Sequence, residues 1–299
     1  MFDQISIIGC GLIGSSIFKS LKKAGSVKKI ITYDNDKSVN KVIKKNKLSD
    51  EIFNNVSDAV KNSDLVIIAT PISSFEKVLN SIEGNLKVGS ILTDTCSVKT
   101  GVSKIFEKKN LKNSTCIPGH PVAGIENSGP EAGFADLFKN RWTILTPGKK
   151  IDGEAIKKLS SFWESMGSKV KIMTDEDHDK ILTFTSHLPH VIAYNIVKTS
   201  MSNDVSVKDD IIKYSAGGLR DFTRIAASDP VMWRDIFIDN SALIIQAIEK
   251  FIKNLDEFKK AISEKDGRKL VEIFEKSKDF RKSVIEAGQD TDKPDFGRK

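Results

Sequence analysis

Nowhere does the sequence hold a run of about 18 consecutive apolar residues, which excludes a transmembrane helix. No secretory leader is expected, because Ile5-Ser6-Ile7-Ile8 reads as a strand within a few residues of Met1. Cysteine is sparse: Cys10, Cys96 and Cys116 are odd in number, widely spaced and never in CxxC form. That argues against a disulfide framework or a thiolate metal site and predicts reduced thiols in a cytoplasmic protein. There is no repeat and no low-complexity segment. Charge is plentiful, at 29% of residues and a net +7, but the lysines are scattered and mixed with acids. Nucleic-acid binding wants a clustered basic patch with interleaved aromatics, so neither a nucleic-acid nor a membrane partner is expected. A mild positive field suits an anionic small molecule. With 299 residues, 39% of them hydrophobic, the chain can bury two cores of ordinary size.

The clearest local signal follows the first strand. Gly9-Cys10-Gly11-Leu12-Ile13-Gly14 is GxGxxG, with the amphipathic stretch Ser15 to Lys23 after it. Gly9 permits the tight turn, Gly11 lets the backbone approach a pyrophosphate, and Gly14 allows close helix–strand packing. The helix N-terminus, with Leu12 and Ile13, then offers free N–H groups to the phosphates. Lys29 to Asp34 reads as the second strand, and Asp34 closes it twenty residues beyond Gly14. A carboxylate there binds ribose hydroxyls and repels a 2′-phosphate, so NAD is favoured over NADP.

Strands are expected at Asp64 to Ala69 and Ser90 to Asp94, ending at Thr70 and at Thr95-Cys96-Ser97. Strand C-termini hold ligands in open parallel sheets, which places Thr70, Asp94 and Ser97 at the crevice. Thr115 to Pro118 leads out into Gly119-His120, and Trp142 to Thr146 closes the α/β part. Gly153 to Met166 reads as a helix and Val170 to Met173 as a last strand. From Asp175 the pattern is helical to about residue 286, broken near 202–207 and 216–218. The run Trp233 to Phe251 is apolar on more than one face, as a helix buried nearly all round would be.

His120-Pro121-Val122-Ala123-Gly124 is the most informative stretch. A histidine pinned by a following proline, downstream of a dinucleotide fingerprint, suggests a base beside a nicotinamide. The motifs Gly119 to Gly124 with Ser128-Gly129-Pro130, Ser186-His187-Leu188-Pro189-His190, Arg220 to Ala226, Ser228-Asp229-Pro230 and Met232 to Asp235 resemble those of prephenate and arogenate dehydrogenases. The resemblance covers about residues 4–286. The tail from Gly288 to Arg298 is similar to that of proteobacterial cyclohexadienyl dehydrogenases, with no chorismate mutase or regulatory module expected.

The resemblance implies a Rossmann-type doubly wound α/β domain over residues 1–173. It implies an all-helical substrate and dimerisation domain over 174–287, and an extended tail over 288–299. It implies NAD-dependent oxidative decarboxylation of prephenate, arogenate or both, in a homodimer. His120 would accept the C4 hydroxyl proton, and Ser97 would contact that histidine, the substrate hydroxyl and the nicotinamide region. Arg224 would hold the ring carboxylate through a bidentate pair, and His190 would line the site. Glu126 is a loop acid that would gate the pocket, meet an ammonium, or simply face solvent. Asp94 has no clear role, and His178 reads as a helix-terminal or packing residue.

Three other readings make different demands on these residues. A metal at His178-Asp179, His187 and His190 would want three or four convergent ligands, and the chemistry asks for none. A β-hydroxyacid dehydrogenase would want a lysine–asparagine pair where Ser186 to His190 stands. A non-catalytic NAD sensor would have no need of His120 and Arg224.

Overall fold

Leu65–Ile68 buries all four of its side chains, Leu65 and Ile67 in one apolar cluster and Val66 and Ile68 in another. That is the pattern of a central strand in a parallel sheet covered on both faces. The computed structural model describes residues 2–288, apart from Asn110, Asn203 and the side chain of Ser206. It divides into two compact units, with the boundary between Ile244 and Ile245.

In the first unit, β1 (Gln4–Ile8), β2 (Lys29–Tyr33), β3 (Glu51–Ile52), β4 (Leu65–Ile68), β5 (Ser90–Asp94) and β6 (Ser114–Cys116) form one parallel sheet. Helices α1 (Leu12–Ala24), α2 (Lys37–Lys45), α3 (Val56–Val60), α4 (Ile72–Ile82) and α5 (Thr100–Lys109) connect the strands. The strand order is β3-β2-β1-β4-β5-β6. The chain therefore winds outward from β1 on one side, then returns to start again at β4. The C-terminal ends of β1 and β4 flank the crevice that this reversal creates, where open sheets bind ligands.

A second sheet was not foreseen. β7 (Gly119–Pro121), β8 (Trp142–Leu145) and β9 (Lys169–Ile172) lie in the order β7-β8-β9, with α6 (Gly153–Ser165) as the crossover from β8 to β9. Gly119-His120, read from sequence as the exit of a strand, is thus a strand itself, with His120 paired to Ile144. Pro121 is tolerated because β7 is an edge strand, where a missing N–H breaks no ladder.

The remainder is helical: α7 (Asp175–Leu182), a π-helical turn (Thr183–His187), α8 (Leu188–Met201), α9 (Val205–Lys213), α10 (Gly217–Thr223), a 3₁₀ turn (Arg224–Ala227) and α11 (Pro230–Asp239). The expected breaks fall between α8 and α9 and between α9 and α10. The apolar run from Trp233 is two helices rather than one. Asn240 ends α11, because its side-chain amide turns inward to Thr183 and His187, and α12 (Ser241–Ser263) starts afresh. In the second unit the rest of α12 and α13 (Gly267–Glu286) pack Phe258 against Phe274 at 6.1 Å. No helix among the described residues is long and apolar enough to cross a membrane. Of the tail expected over 288–299, only Gly288 lies within the described residues.

Candidate active site

The glycine-rich turn is built as its sequence demands. Gly9 has φ 93°, and a Cβ there would come within 2.7 Å of the Ala69 carbonyl oxygen. A Cβ on Gly14 would lie 2.1 Å from the Gly9 oxygen. Both glycines are thus fixed by close backbone approach. Gly11 is different: nothing lies within 4 Å of where its Cβ would be, so that space is open. α1 starts at Leu12 and Ile13 with no side-chain cap and no acid in its first turn, leaving its N–H groups for a phosphate. Asp34 faces the turn, accepting from the Cys10 N–H at 2.8 Å and the Asp36 N–H at 2.9 Å. Thr70 follows β4, and its buried hydroxyl finds no partner among the described residues. Glycine cradle, bare helix start, acid and orphaned hydroxyl together fit a dinucleotide.

His120 stands beside this crevice on β7, whose Gly119 is packed against Thr93 and Asp94 of β5. Its Nδ1 lies 2.8 Å from Nε2 of His178, and Nδ1 of His178 lies 2.7 Å from Oδ1 of Asp179. Asp179 also accepts from the Lys99 and Thr100 N–H groups at 2.8 and 2.9 Å. Burial pushes the Asp179 carboxyl up, but these hydrogen bonds outweigh it and hold it below its ordinary range. An ionised carboxylate can only accept, so His178 donates from Nδ1. Neutral His178 then accepts at Nε2, His120 donates from Nδ1, and Nε2 of His120 is left bare. Burial, reinforced by His178, Lys99 and His187, holds His120 well below its ordinary pKa. A buried, neutral imidazole with its free nitrogen fixed by two partners is a prepared proton acceptor.

Behind His120 sits a fully buried ion pair. The Lys99 ammonium bonds the Asp94 carboxylate and donates to the Gly119 carbonyl at 2.7 Å. Asp94 accepts from the Gly119 N–H at 3.0 Å and the Cys96 N–H at 2.8 Å. Ser97, next along, is half-buried at the end of β5. Cys96 is no nucleophile: burial, then the Asp94 charge, pushes its thiol well above the ordinary range.

The helices bring the remaining residues. The π-helical turn displaces the register by one residue, a feature frequent at functional sites. Asn240 donates to Nδ1 of buried His187 at 3.0 Å, and burial pushes His187 down to about 4. His190 donates from Nδ1 to the Ser186 carbonyl at 2.8 Å and stacks on Trp233 with centroids 3.5 Å apart. Arg224 opens the 3₁₀ turn and meets Glu126 at 3.4 Å, both side chains being substantially exposed. Both ring nitrogens of His178 are spent on hydrogen bonds, and among the described residues no three His, Cys, Asp or Glu side chains group as metal ligands.

Residues 17–172 match the family model for the prephenate dehydrogenase nucleotide-binding domain, and residues 174–276 that for the prephenate dehydrogenase dimerization domain. The chain belongs to the prephenate dehydrogenase family. It is 38% identical to a cyclohexadienyl dehydrogenase of Zymomonas mobilis over 94% of this chain and 96% of that protein. It is 32% identical to a prephenate dehydrogenase of Bacillus subtilis, over 94% of this chain and 76% of the relative. Among solved structures, prephenate dehydrogenase from Aquifex aeolicus, in complex with hydroxyphenyl propionate and NAD+, superposes with a TM-score of 0.86. That pair is 34% identical, over 95% of this chain and 99% of that one.

In this family member the sequence motifs bring His120, Arg224, Glu126, His190 and Trp233 onto elements of one compact unit. Sequence reasoning missed the partners that tune His120. His178 is buried near the start of α7, as a helix-terminal or packing residue would be, but it also bridges His120 and Asp179 by hydrogen bonds, and the adjacent acid in His178-Asp179 was the available signal. Asp94 was placed at the crevice by its strand end but had no role, and Lys99 carried no signal beyond lying five residues after it.

Proposed function

We propose that this chain catalyses the NAD-dependent oxidative decarboxylation of prephenate in tyrosine biosynthesis. The observation that carries the assignment to His120 is the chain from Asp179 through His178, which leaves one bare imidazole nitrogen beside a dinucleotide cradle. Gly9, Gly11, Leu12, Ile13, Gly14, Asp34, Thr70 and Ser97 would hold the cofactor, and bound NAD+ would supply the hydride acceptor.

His120 Nε2 accepts a hydrogen bond from the ring C4 hydroxyl and takes up its proton as the C4–H bond breaks. The charge that builds on His120 is met through His178 by the Asp179 carboxylate. As the C1–carboxylate bond breaks, its electron pair enters the ring, CO₂ leaves, and the proton returns to the phenol oxygen. Aromatisation drives this step, so no covalent intermediate is needed. Arg224 would hold the ring carboxylate by a charge-assisted pair, displacing Glu126 from its guanidinium. His190, its Nδ1 fixed on Ser186, turns the other nitrogen to substrate, and Ser97 would support the C4 hydroxyl.

On this reading residues 1–173 serve the cofactor and 174–287 the substrate and the subunit contact. A homodimer is supported by exposed apolar side chains on the helices, Ile238 at 68% and Ile252 at 52% exposure among them. A cytoplasmic site is supported by three free cysteines. Arogenate carries an ammonium where prephenate carries a ketone, and Glu126 is the acid such an ammonium would meet. Incubation with NAD+ and each substrate, with the aromatic product identified, tests the assignment. 4-Hydroxyphenylpyruvate from prephenate or tyrosine from arogenate is expected, and NADH formation with neither would overturn it.

A further inference from the structure

The Asp94–Lys99 pair is a poor choice if stability alone is at stake. Desolvating two charges is costly for each ion, and such pairs are often replaced by apolar side chains without loss. Yet both side chains are fully buried, and their hydrogen bonds converge on one peptide. Lys99 donates to the Gly119 carbonyl at 2.7 Å while Asp94 accepts from the Gly119 N–H at 3.0 Å. Gly119 is thereby held on both sides, immediately before His120. A Cβ on Gly119 would approach Thr93 Oγ1 at 3.1 Å and the Asp94 oxygen at 3.2 Å, so the residue fits closely against β5.

The same two residues reach the other parts of the site. Asp94 also accepts from the Cys96 N–H, at the turn that leads to Ser97. The backbone N–H of Lys99 donates to Asp179, at the far end of the imidazole relay. One buried pair therefore ties the strand that carries the base, the turn after β5 and the carboxylate that sets the base's tautomer.

We infer that Asp94 and Lys99 are positioning residues for the reaction: they fix the Gly119 peptide, and through it the direction of the His120 imidazole, against the end of β5. The inference rests on His120 being the proton acceptor. Neither residue touches the reacting atoms, and their work is done through His120. The charge has a second consequence. The groups around His120 are Lys99, His178 and His187, with Asp94 and Asp179 behind them, and the Lys99 cation helps to keep the imidazole unprotonated.

The test compares Lys99→Met, Lys99→Arg and the neutral double variant Asp94→Asn with Lys99→Met, against wild type, using NAD+ and prephenate. Misplacing a catalytic group by an ångström costs about a hundredfold. Lys99→Met should therefore lose on the order of ten- to a hundredfold in kcat, with prephenate KM and NAD+ affinity little changed. The acid limb of its kcat/KM profile should move to higher pH, because a cation is gone and Asp94 remains. In the double variant kcat should fall without that movement, since both charges are gone. If Lys99→Met does not fold, Lys99→Arg reads the same point: charge is kept, the donor is moved, and kcat should fall with the limb in place. A purely structural pair would lower the melting temperature while leaving kcat per folded enzyme and the acid limb at their wild-type values, and that result overturns the inference. Wild type inactive on prephenate and on arogenate alike would instead overturn the functional reading on which it rests; wild type active on arogenate alone moves the same comparison to that substrate.

Discussion

Nε2 of His178 lies 2.8 Å from Nδ1 of His120, and that contact decides which nitrogen of His120 is left for chemistry. Asp179 fixes the donor of His178, His178 fixes the donor of His120, and the bare nitrogen follows. Replacing His178 with Phe removes the acceptor and frees His120 to take either tautomer. General-base catalysis is worth about 10²–10⁴-fold, so kcat should fall toward the lower end of that range. KM for prephenate should hold, and a kcat within threefold of wild type would detach His178 from the mechanism.

Acid should destabilise the fold through the same histidines. Burial is the first cause of the lowered pKa of His120, His178 and His187. Their folded values lie below the ordinary 6.5, so the unfolded chain binds more protons as pH falls through 6.5. Their contribution is complete above that pH and is lost on acidification, for His187 between about 6.5 and about 4. His187 alone accounts for on the order of 3 kcal/mol across that window. Urea midpoints should drop steadily from pH 7 to pH 5, and a flat profile would contradict the assignment of neutral buried rings.

Cofactor choice rests on Asp34, which faces the glycine turn through the Cys10 N–H. Asp34→Asn keeps an acceptor for that N–H but removes the charge that repels a 2′-phosphate. The ratio of kcat/KM for NAD+ over NADP+ should fall by about tenfold or more, equivalent to 1.4 kcal/mol. An unchanged ratio would mean that selectivity lies elsewhere.

Much of this was legible in the sequence where the physics is local. The turn from β1 through Gly9, Gly11 and Gly14 to α1, and on to Asp34, is set by short-range backbone demands, so its residues announce it. His120 was legible because of its neighbours Pro121 and Gly119. His178 was not, because its partner lies 58 residues away and the two meet only when α7 packs on α5. β7 was hidden for a related reason. Three residues carry no periodicity, and the pairing partner, β8, lies across a loop of some twenty residues with no hairpin signal. Asn240 reads as one polar residue in an apolar run until Thr183 and His187 draw its amide inward.

Arg224 should govern substrate affinity. Its partner in the structure is Glu126, at 3.4 Å and largely solvated, a pairing weak enough for a substrate carboxylate to displace. Arg224→Ala removes a charge-assisted bond worth roughly 1.5–3 kcal/mol, so prephenate KM should rise about ten- to a hundredfold. Arg224→Lys should recover only part, since a point charge lacks the bidentate fork. Weakened NAD+ binding with an unchanged prephenate KM would assign the arginine to the cofactor.

The most direct measurement is the turnover of His120→Asn with NAD+ and prephenate, made alongside NAD+ binding. Asparagine keeps much of the polarity of the site but cannot take up the proton. The account predicts a fall in kcat of about 10²–10⁴-fold with NAD+ affinity preserved. A kcat within threefold of wild type in a folded, NAD+-binding variant would contradict it, because the proton would then be leaving by another route.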